Sequence, residues 1–171
     1  MPIGKEVVIV EYNPHWPEMF LAERSLIETV FANIPVAIEH IGSTAVPGLA
    51  AKPIIDIVLG ADSLEIIEAR IPALENIGYE YIHEAELIVP ERRFFVRDGR
   101  YHLHCVVFQG KIWNYQLRFR DILRNNPKLA RKYEELKRDL ARRYPNARPI
   151  YTERKSPFVE EVLEKHPQVE T

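Results

Sequence analysis

Asp56 is the first residue that asks for a chemical explanation. It stands alone in Ile54-Ile55-Asp56-Ile57-Val58-Leu59, where a carboxylate is stripped of water. Leaving it unpaired there is costly or forces it to keep its proton. It needs a partner: a backbone donor, Lys52, a histidine or a metal ion. A salt bridge that fixes the strand meets that need, and so does a functional carboxylate. Upstream, Gly42-Ser43 follows a strand-like run. The glycine lets the chain turn sharply and approach a ligand, and the serine offers its hydroxyl and N–H to phosphate oxygens if a helical turn follows. The same pair also serves as a plain turn. His102-Leu103-His104 sets two imidazoles on one face of a strand, about 7 Å apart along it. Neutral imidazoles so placed can chelate a divalent metal. Asp56 on a neighbouring strand would make three ligands; a half-exposed pair without metal is the plainer alternative.

Basic residues supply the other half of a phosphate site. Arg92-Arg93 precedes Phe94-Phe95, and Arg118, Arg120 and Arg124 are spaced along a helix around Asp121. Arginine suits bidentate contact with phosphate, although an edge-strand charge pair and an intrahelical pairing explain the same residues. Tyr151-Thr152-Glu153-Arg154-Lys155 could close over a site from the C-terminal side, or be a surface turn.

The elements that must hold these groups follow from hydrophobic spacing. Val7–Val10 reads as a short strand. A helix follows, with Pro14 and Pro17 in its first turn and Trp16, Phe20, Ile27, Val30 and Phe31 on its buried face. Val36–Ile41 reads as a strand, and Ile54–Leu59, apolar on both faces, as a central one. A helix capped by Asp62 or Ser63 carries Leu64, Ile67, Leu74 and Ile77; Pro72 should kink or restart it and Gly78 end it. Tyr79–His83 and Arg92–Arg97 are strands, and Asp98-Gly99 is a hairpin signal leading into Tyr101–Phe108. In that last strand alternation sends Tyr101, Leu103, Cys105 and Val107 one way, and His102, His104, Val106 and Phe108 the other. Helical spacing then covers Trp113–Arg124, breaks at Asn125-Asn126-Pro127, and resumes with Leu129, Tyr133, Leu136, Leu140 and Tyr144 on one face. Pro145–Pro149 reads as a connector, Ser156-Pro157 as the start of a last helix through Leu163, and the tail from His166 as frayed. The order predicts an α+β fold with a mixed β-sheet flanked by helices.

Length and composition agree. The 171 residues suit a single domain over 1–171, with a sheet core about 35–110 and a helical C-terminal part about 112–165. The net charge of −2 hides an asymmetry: Trp113–Lys155 holds 13 Lys and Arg against 5 Asp and Glu. Such a third could attract a phosphate-bearing ligand, or be the solvated faces of helices. A nucleic-acid partner is compatible with it, but nothing in the sequence singles one out. One cysteine, Cys105, leaves no internal disulfide and no multi-cysteine zinc site. No run approaches a membrane span and the N-terminal residues lack a signal-peptide pattern, so a cytoplasmic protein is expected. Oligomeric state is not legible.

The segments YNPHWPEMF, EHIGSTAVPGLAAKPIIDIVL, YHLHCVVF, LRFRDILRNNP, ARKYEELKRDLA and YTERKSPFVEEVL, in this order, resemble the GrpB family, also found as a domain appended to some dephospho-CoA kinases. The resemblance runs from about Tyr12 to Leu163. It implies a nucleotidyltransferase-like fold with a C-terminal helical extension. In that superfamily a Gly-Ser pair holds a triphosphate, and paired carboxylates with a third from a later strand bind two metal ions. Carried over, Gly42 and Ser43 match the phosphate-binding pair and Asp56 a catalytic carboxylate. Lys52, Arg92, Arg93 and Arg120 would neutralise phosphates. One divalent ion (Mg, Mn or Zn) would sit on Asp56 with His102 and/or His104, with a nucleoside triphosphate as candidate substrate. The departure is Val58, which stands where the second carboxylate should be. Three readings follow: a nucleotidyltransferase using Asp56 and Lys52, a nucleotide-binding accessory domain without chemistry, and a single-metal phosphoesterase.

Overall fold

The computed structural model describes residues 6–167; the last four residues of the tail read above as frayed lie outside the described residues. Five strands form one mixed sheet: β1 (Ala37–Ile41), β2 (Ile55–Ala61), β3 (Glu80–Tyr81), β4 (Arg93–Arg97) and β5 (Tyr101–Val107), ordered β1-β2-β5-β4-β3. The β2–β5 pair is parallel and the others antiparallel. Among the described residues six α-helices accompany the sheet: α1 (Trp16–Val30), α2 (Leu64–Glu68), α3 (Ile71–Asn76), α4 (Lys111–Asn125), α5 (Pro127–Arg143) and α6 (Arg148–Lys165). This is the expected α+β arrangement.

Alternation along the strands divides the sheet into two faces with different tasks. Ile55, Ile57 and Leu59 of β2 join Leu103 and Cys105 of β5 and Phe95 of β4 against α1, α2 and α3. All six are sealed from solvent, so this face is the main core, where apolar burial stabilises the domain. The other face carries Val58, Val106 and Ile41 under Trp113 of α4. Asp56, His102 and His104 share it, because they are an even number of residues from Val58 and Val106. Helices α4–α6 close a second layer through Leu123, Tyr133, Val46 and Leu49.

Local signals mostly hold. Ser63 accepts the Ile66 N–H at the start of α2, Pro72 begins α3 in its first turn, and Asn126 caps α5 by accepting the Leu129 N–H at 3.1 Å. Asp98 and Gly99 both have positive φ, 54° and 61°, and the Arg100 N–H reaches the Arg97 carbonyl. That is the tight hairpin turn the pair encodes.

Three expectations need correction. Val7–Val10 makes only one bridge, Val10 to Ala51, instead of a strand, because Val7 is drawn away to the Pro145 carbonyl and packs on Leu140 and Tyr151. The strand expected over Tyr79–His83 is reduced to Glu80–Tyr81 at the sheet edge. The next residues form a 3-10 turn, His83–Leu87, that lays Ala85 on Phe94 and Val96. Finally, Ser156-Pro157 does not start the last helix. α6 begins at Arg148 with Pro149 in its first turn, and Pro157 lies within it. Burial of Tyr151 holds those early turns in place, and tertiary packing tolerates the backbone bond that Pro157 removes.

Candidate functional site

Strand register brings the two halves of the sequence signal together. Ile41 pairs with Asp56, so Gly42 is the first residue past β1 and lies directly beside the carboxylate. Gly42 has φ 73° and ψ −173°, a conformation essentially confined to glycine. A Cβ built there would sit 2.8 Å from Asp56 Oδ2. Gly42→Ala is therefore expected to cost about 1–3 kcal/mol and to displace the carboxylate. Thermal unfolding checks the first effect, and loss of any nucleotide-induced stabilisation checks the second.

The turn over Ser43–Ala45 is clamped from several sides. Thr44 Oγ1 donates to the Ile54 carbonyl at 2.9 Å, so it accepts from His40 Nε2 at 2.9 Å, which places a proton on that nitrogen. Burial, with Arg124 and Arg120 adding to it against Asp56, lowers the His40 pKa to about 4; the ring is neutral at pH 7. From α4, Arg124 Nε donates to the Ala45 carbonyl at 2.8 Å, and Arg120 Nη1 to Glu39 at 2.6 Å and the His40 carbonyl at 3.1 Å. These arginines position the turn.

The histidines meet Asp56 as expected from alternation, at Oδ1. His104 Nε2 lies 3.1 Å away and His102 Nδ1 3.7 Å. Arg92 Nη1 is 3.3 Å from His104 Nδ1. A guanidinium only donates, so Nδ1 accepts and Nε2 carries the proton given to Asp56. Burial pushes the Asp56 carboxyl up, but the His104 hydrogen bond and the favourable electrostatics of His102, His104 and Lys52 outweigh it and hold the pKa at about 2. The carboxylate is ionised at pH 7.

This arrangement bears on the metal set expected from Asp56, His102 and His104. Both nitrogens of His104 are committed, one as donor and one as acceptor, leaving no lone pair for a cation. Among the described residues no group of three or more His, Cys, Asp or Glu side chains is arranged to hold a metal ion. The donor set present does not fit a metal held by all three residues.

The cleft around Asp56 has a volume of about 530 Å³. Gly42, Ser43, Lys52, Asp56, His102 and His104 line its sheet side, and Tyr133, Lys137, Arg148, Tyr151 and Lys155 its helical side. Lys52, Lys137, Arg148 and Lys155 thus face one carboxylate, a net charge of +3 when protonated. Their pKa values record the crowding. Burial and Arg148 lower Lys52 to about 8, against the opposing pull of Asp56. Burial and neighbouring cations lower Lys137 and Lys155 to about 7. Lys137 Nζ donates to the Ala50 carbonyl at 2.6 Å, and Lys52 and Lys155 both stand over the Tyr151 ring, at 5.0 and 4.6 Å. Among the described residues the Tyr151 hydroxyl and Arg148 Nε are buried without a hydrogen-bond partner.

Some sequence candidates are placed elsewhere. Arg92 and Arg93 are consecutive on an extended segment and so point to opposite faces. Arg92 reaches His104, whereas Arg93 pairs with Glu68 and Glu86 on the far side. Arg120 is occupied by Glu39 and Asp121, and Arg118 donates to the Leu163 and His166 carbonyls at the end of α6. Sequence reasoning missed Lys137 and Arg148. Lys137 did leave a signal: it is four residues from Tyr133 and three from Leu140, a lysine on the buried stripe of an amphipathic helix.

A mixed sheet with a Gly-Ser turn beside a strand-borne Asp, covered by C-terminal helices, defines a nucleotidyltransferase-like fold. The crystal structure of the Cid1 poly(U) polymerase with MgGTP bound matches it with a TM-score of 0.54 over 79% of this chain and 45% of that one. At 14% identity that likeness speaks for the fold alone. Within this class the chain belongs to the GrpB family, whose profile, described as GrpB protein, matches residues 6–165. It is 37% identical to the glutamate-rich protein GrpB of Alkalihalophilus pseudofirmus, over 92% of this chain and 94% of the relative. The crystal structure of GrpB from Enterococcus faecalis matches with a TM-score of 0.84 and 33% identity, covering 92% and 96% of the two chains. A dephospho-CoA kinase of Mycolicibacterium paratuberculosis is 29% identical over 51% of this chain and 23% of its own length, a partial likeness. Among the described residues no helix is long and apolar enough to cross a membrane.

Proposed function

We propose that the cleft binds a nucleotide through its di- or triphosphate, with the phosphates between the Gly42-Ser43 turn and Lys52, Lys137, Arg148 and Lys155. The observation that carries this reading is the concentration of four partly desolvated cations, with two orphaned polar atoms, around a single carboxylate. Like charges at such density repel one another, and a polyanion of matching charge turns that repulsion into binding. Gly42 and Ser43 fit the role the superfamily gives this pair.

Differential scanning fluorimetry tests the reading. Triphosphates should stabilise the protein most, monophosphates less and nucleosides not at all. A ligand at a hundredfold excess over its Kd adds about 2.7 kcal/mol. Equal, negligible shifts for all three would remove the proposal.

Transfer of the nucleotidyl group is the finer reading. Asp56, ionised and beside the turn, is placed to accept a proton from an acceptor hydroxyl. Val58, fully buried where a second carboxylate would stand, favours instead a cleft that binds without transfer. Release of pyrophosphate from any triphosphate decides for transfer, and release of inorganic phosphate points to ester hydrolysis.

A further inference from the structure

A second cavity of about 460 Å³ opens on the same face of the sheet. Its wall is largely apolar, with Val106, Val107 and Ile112 among its lining residues, and it shares Tyr115 and Gln116 with the phosphate cleft. Arg92 also lines it. This arginine forms no ion pair among the described residues. Its guanidinium stands 5.1 Å over the Phe94 ring, Nη1 is on His104, and Nε is buried without a partner. Burial lowers its pKa, with Asp56 opposing.

Charge separates the two cavities. The phosphate cleft offers four cations against one carboxylate, whereas this one offers Arg92 and Lys111 against Glu91, a net of +1. That suits a monoanion. A planar carboxylate matches the guanidinium fork, and apolar walls with one oriented polar group are the usual make-up of a small-molecule site of this volume.

We propose that this cavity is a second ligand site, for a small molecule carrying one carboxylate on an apolar body. The carboxylate pairs with Arg92 and the body rests on Val106, Ile112 and Tyr115. The shared edge at Tyr115 and Gln116 lets the far end of such a molecule reach the phosphate cleft. Arg92 connects it to Asp56 through a single side chain, His104. The site extends the nucleotide reading by giving the cleft a second reactant, yet its occupancy does not require that reading to hold.

Isothermal titration of the full chain with phenylacetate and with its uncharged isostere phenylacetamide tests the proposal, with backbone amide NMR shifts to locate the site. Phenylacetate is expected to saturate, with shifts centred on Val107 and Ile112, and phenylacetamide to bind at least tenfold more weakly. Arg92→Gln should weaken phenylacetate at least tenfold. Val107→Trp, at a position 38% exposed, should fill the cavity and abolish phenylacetate binding while leaving triphosphate-induced stabilisation intact. No saturable binding overturns the proposal, as does binding that survives both substitutions or maps to Lys52 and Lys155. Phenylacetate bound at Val107 in a protein that no nucleotide stabilises would uphold this site and remove the nucleotide reading instead.

Discussion

Asp56→Asn is expected to melt several degrees below the wild type at pH 7 while gripping an anionic ligand more tightly. The carboxylate accepts the His104 hydrogen bond and lies near the Lys52 charge, and its pKa falls from 3.8 to about 2 on folding. That difference corresponds to roughly 2 kcal/mol, or about 4–8 °C for a chain of this size. A depressed carboxyl stabilises the fold above its unfolded pKa and loses that contribution as pH falls through its folded one. The gap between variant and wild type should therefore be full at pH 6–7, shrink to about half near pH 3, and close below pH 2. Anion affinity moves the other way, because the cleft loses the negative charge of Asp56. If the wild type turns over a triphosphate, loss of the base should cost about 10²–10⁴-fold. A variant as stable as the wild type at pH 7, or with undiminished turnover, sinks this account of Asp56.

Lys137→Met should separate stability from binding. Lys137 is 2% exposed, and burial together with Lys155, Lys52 and Arg138 lowers its pKa from 10.5 to about 7, with Glu134 opposing. Between those values the unfolded chain holds more protons than the folded one, so stability should rise with pH from about 7 towards 10. Lys155, lowered to about 7 by burial, Lys52 and Arg148 against the pull of Asp56, acts in the same direction. Methionine removes the desolvated cation, and the Ala50 carbonyl loses its donor at about 1–3 kcal/mol. At pH 6.5 relief of the desolvated cation outweighs the lost donor, so the ligand-free variant should be at least as stable as the wild type. Its rise in stability towards pH 9.5 should be shallower. Triphosphate affinity should drop about 10–150-fold, the equivalent of one charge-assisted hydrogen bond. Chemical denaturation across pH and titration calorimetry measure both. A wild type that loses stability between pH 7 and 9, or a variant that binds unimpaired, refutes the assignment.

The central sheet was legible because its signals are local and redundant. Ile54–Leu59 is apolar on both faces, His102 and His104 alternate with core residues, and Asp98-Gly99 dictates a turn. The link between Gly42 and Asp56 was legible only as a resemblance, since strand register is a tertiary fact. Arg92 and Arg93 read as one cluster until alternation is applied to the arginines themselves. Pro157 looked like a helix start because proline usually is one; burial of Tyr151, six residues earlier, outweighed it. The helical side of the cleft was legible only as a segment, Tyr151–Lys155, that could close over a site, and its place against the sheet was not. Arg148, Tyr151 and Lys155 become neighbours of Lys52 only through the packing of α6 on α5, which charge counts along the chain register as a general excess of cations.

The bonds that hold the Gly42–Lys52 segment reach far ahead in the chain. Arg124 grips Ala45 from 79 residues downstream, and Lys137 grips Ala50 from 87. At a synthesis rate of about 5–20 residues per second, several seconds separate the emergence of that loop from the arrival of its clamps. The loop that borders the proposed cleft thus waits for partners that emerge only after the sheet has been made. A nascent chain cut after α4 would own its sheet, its aspartate and Lys52, yet lack Lys137, Arg148 and Lys155.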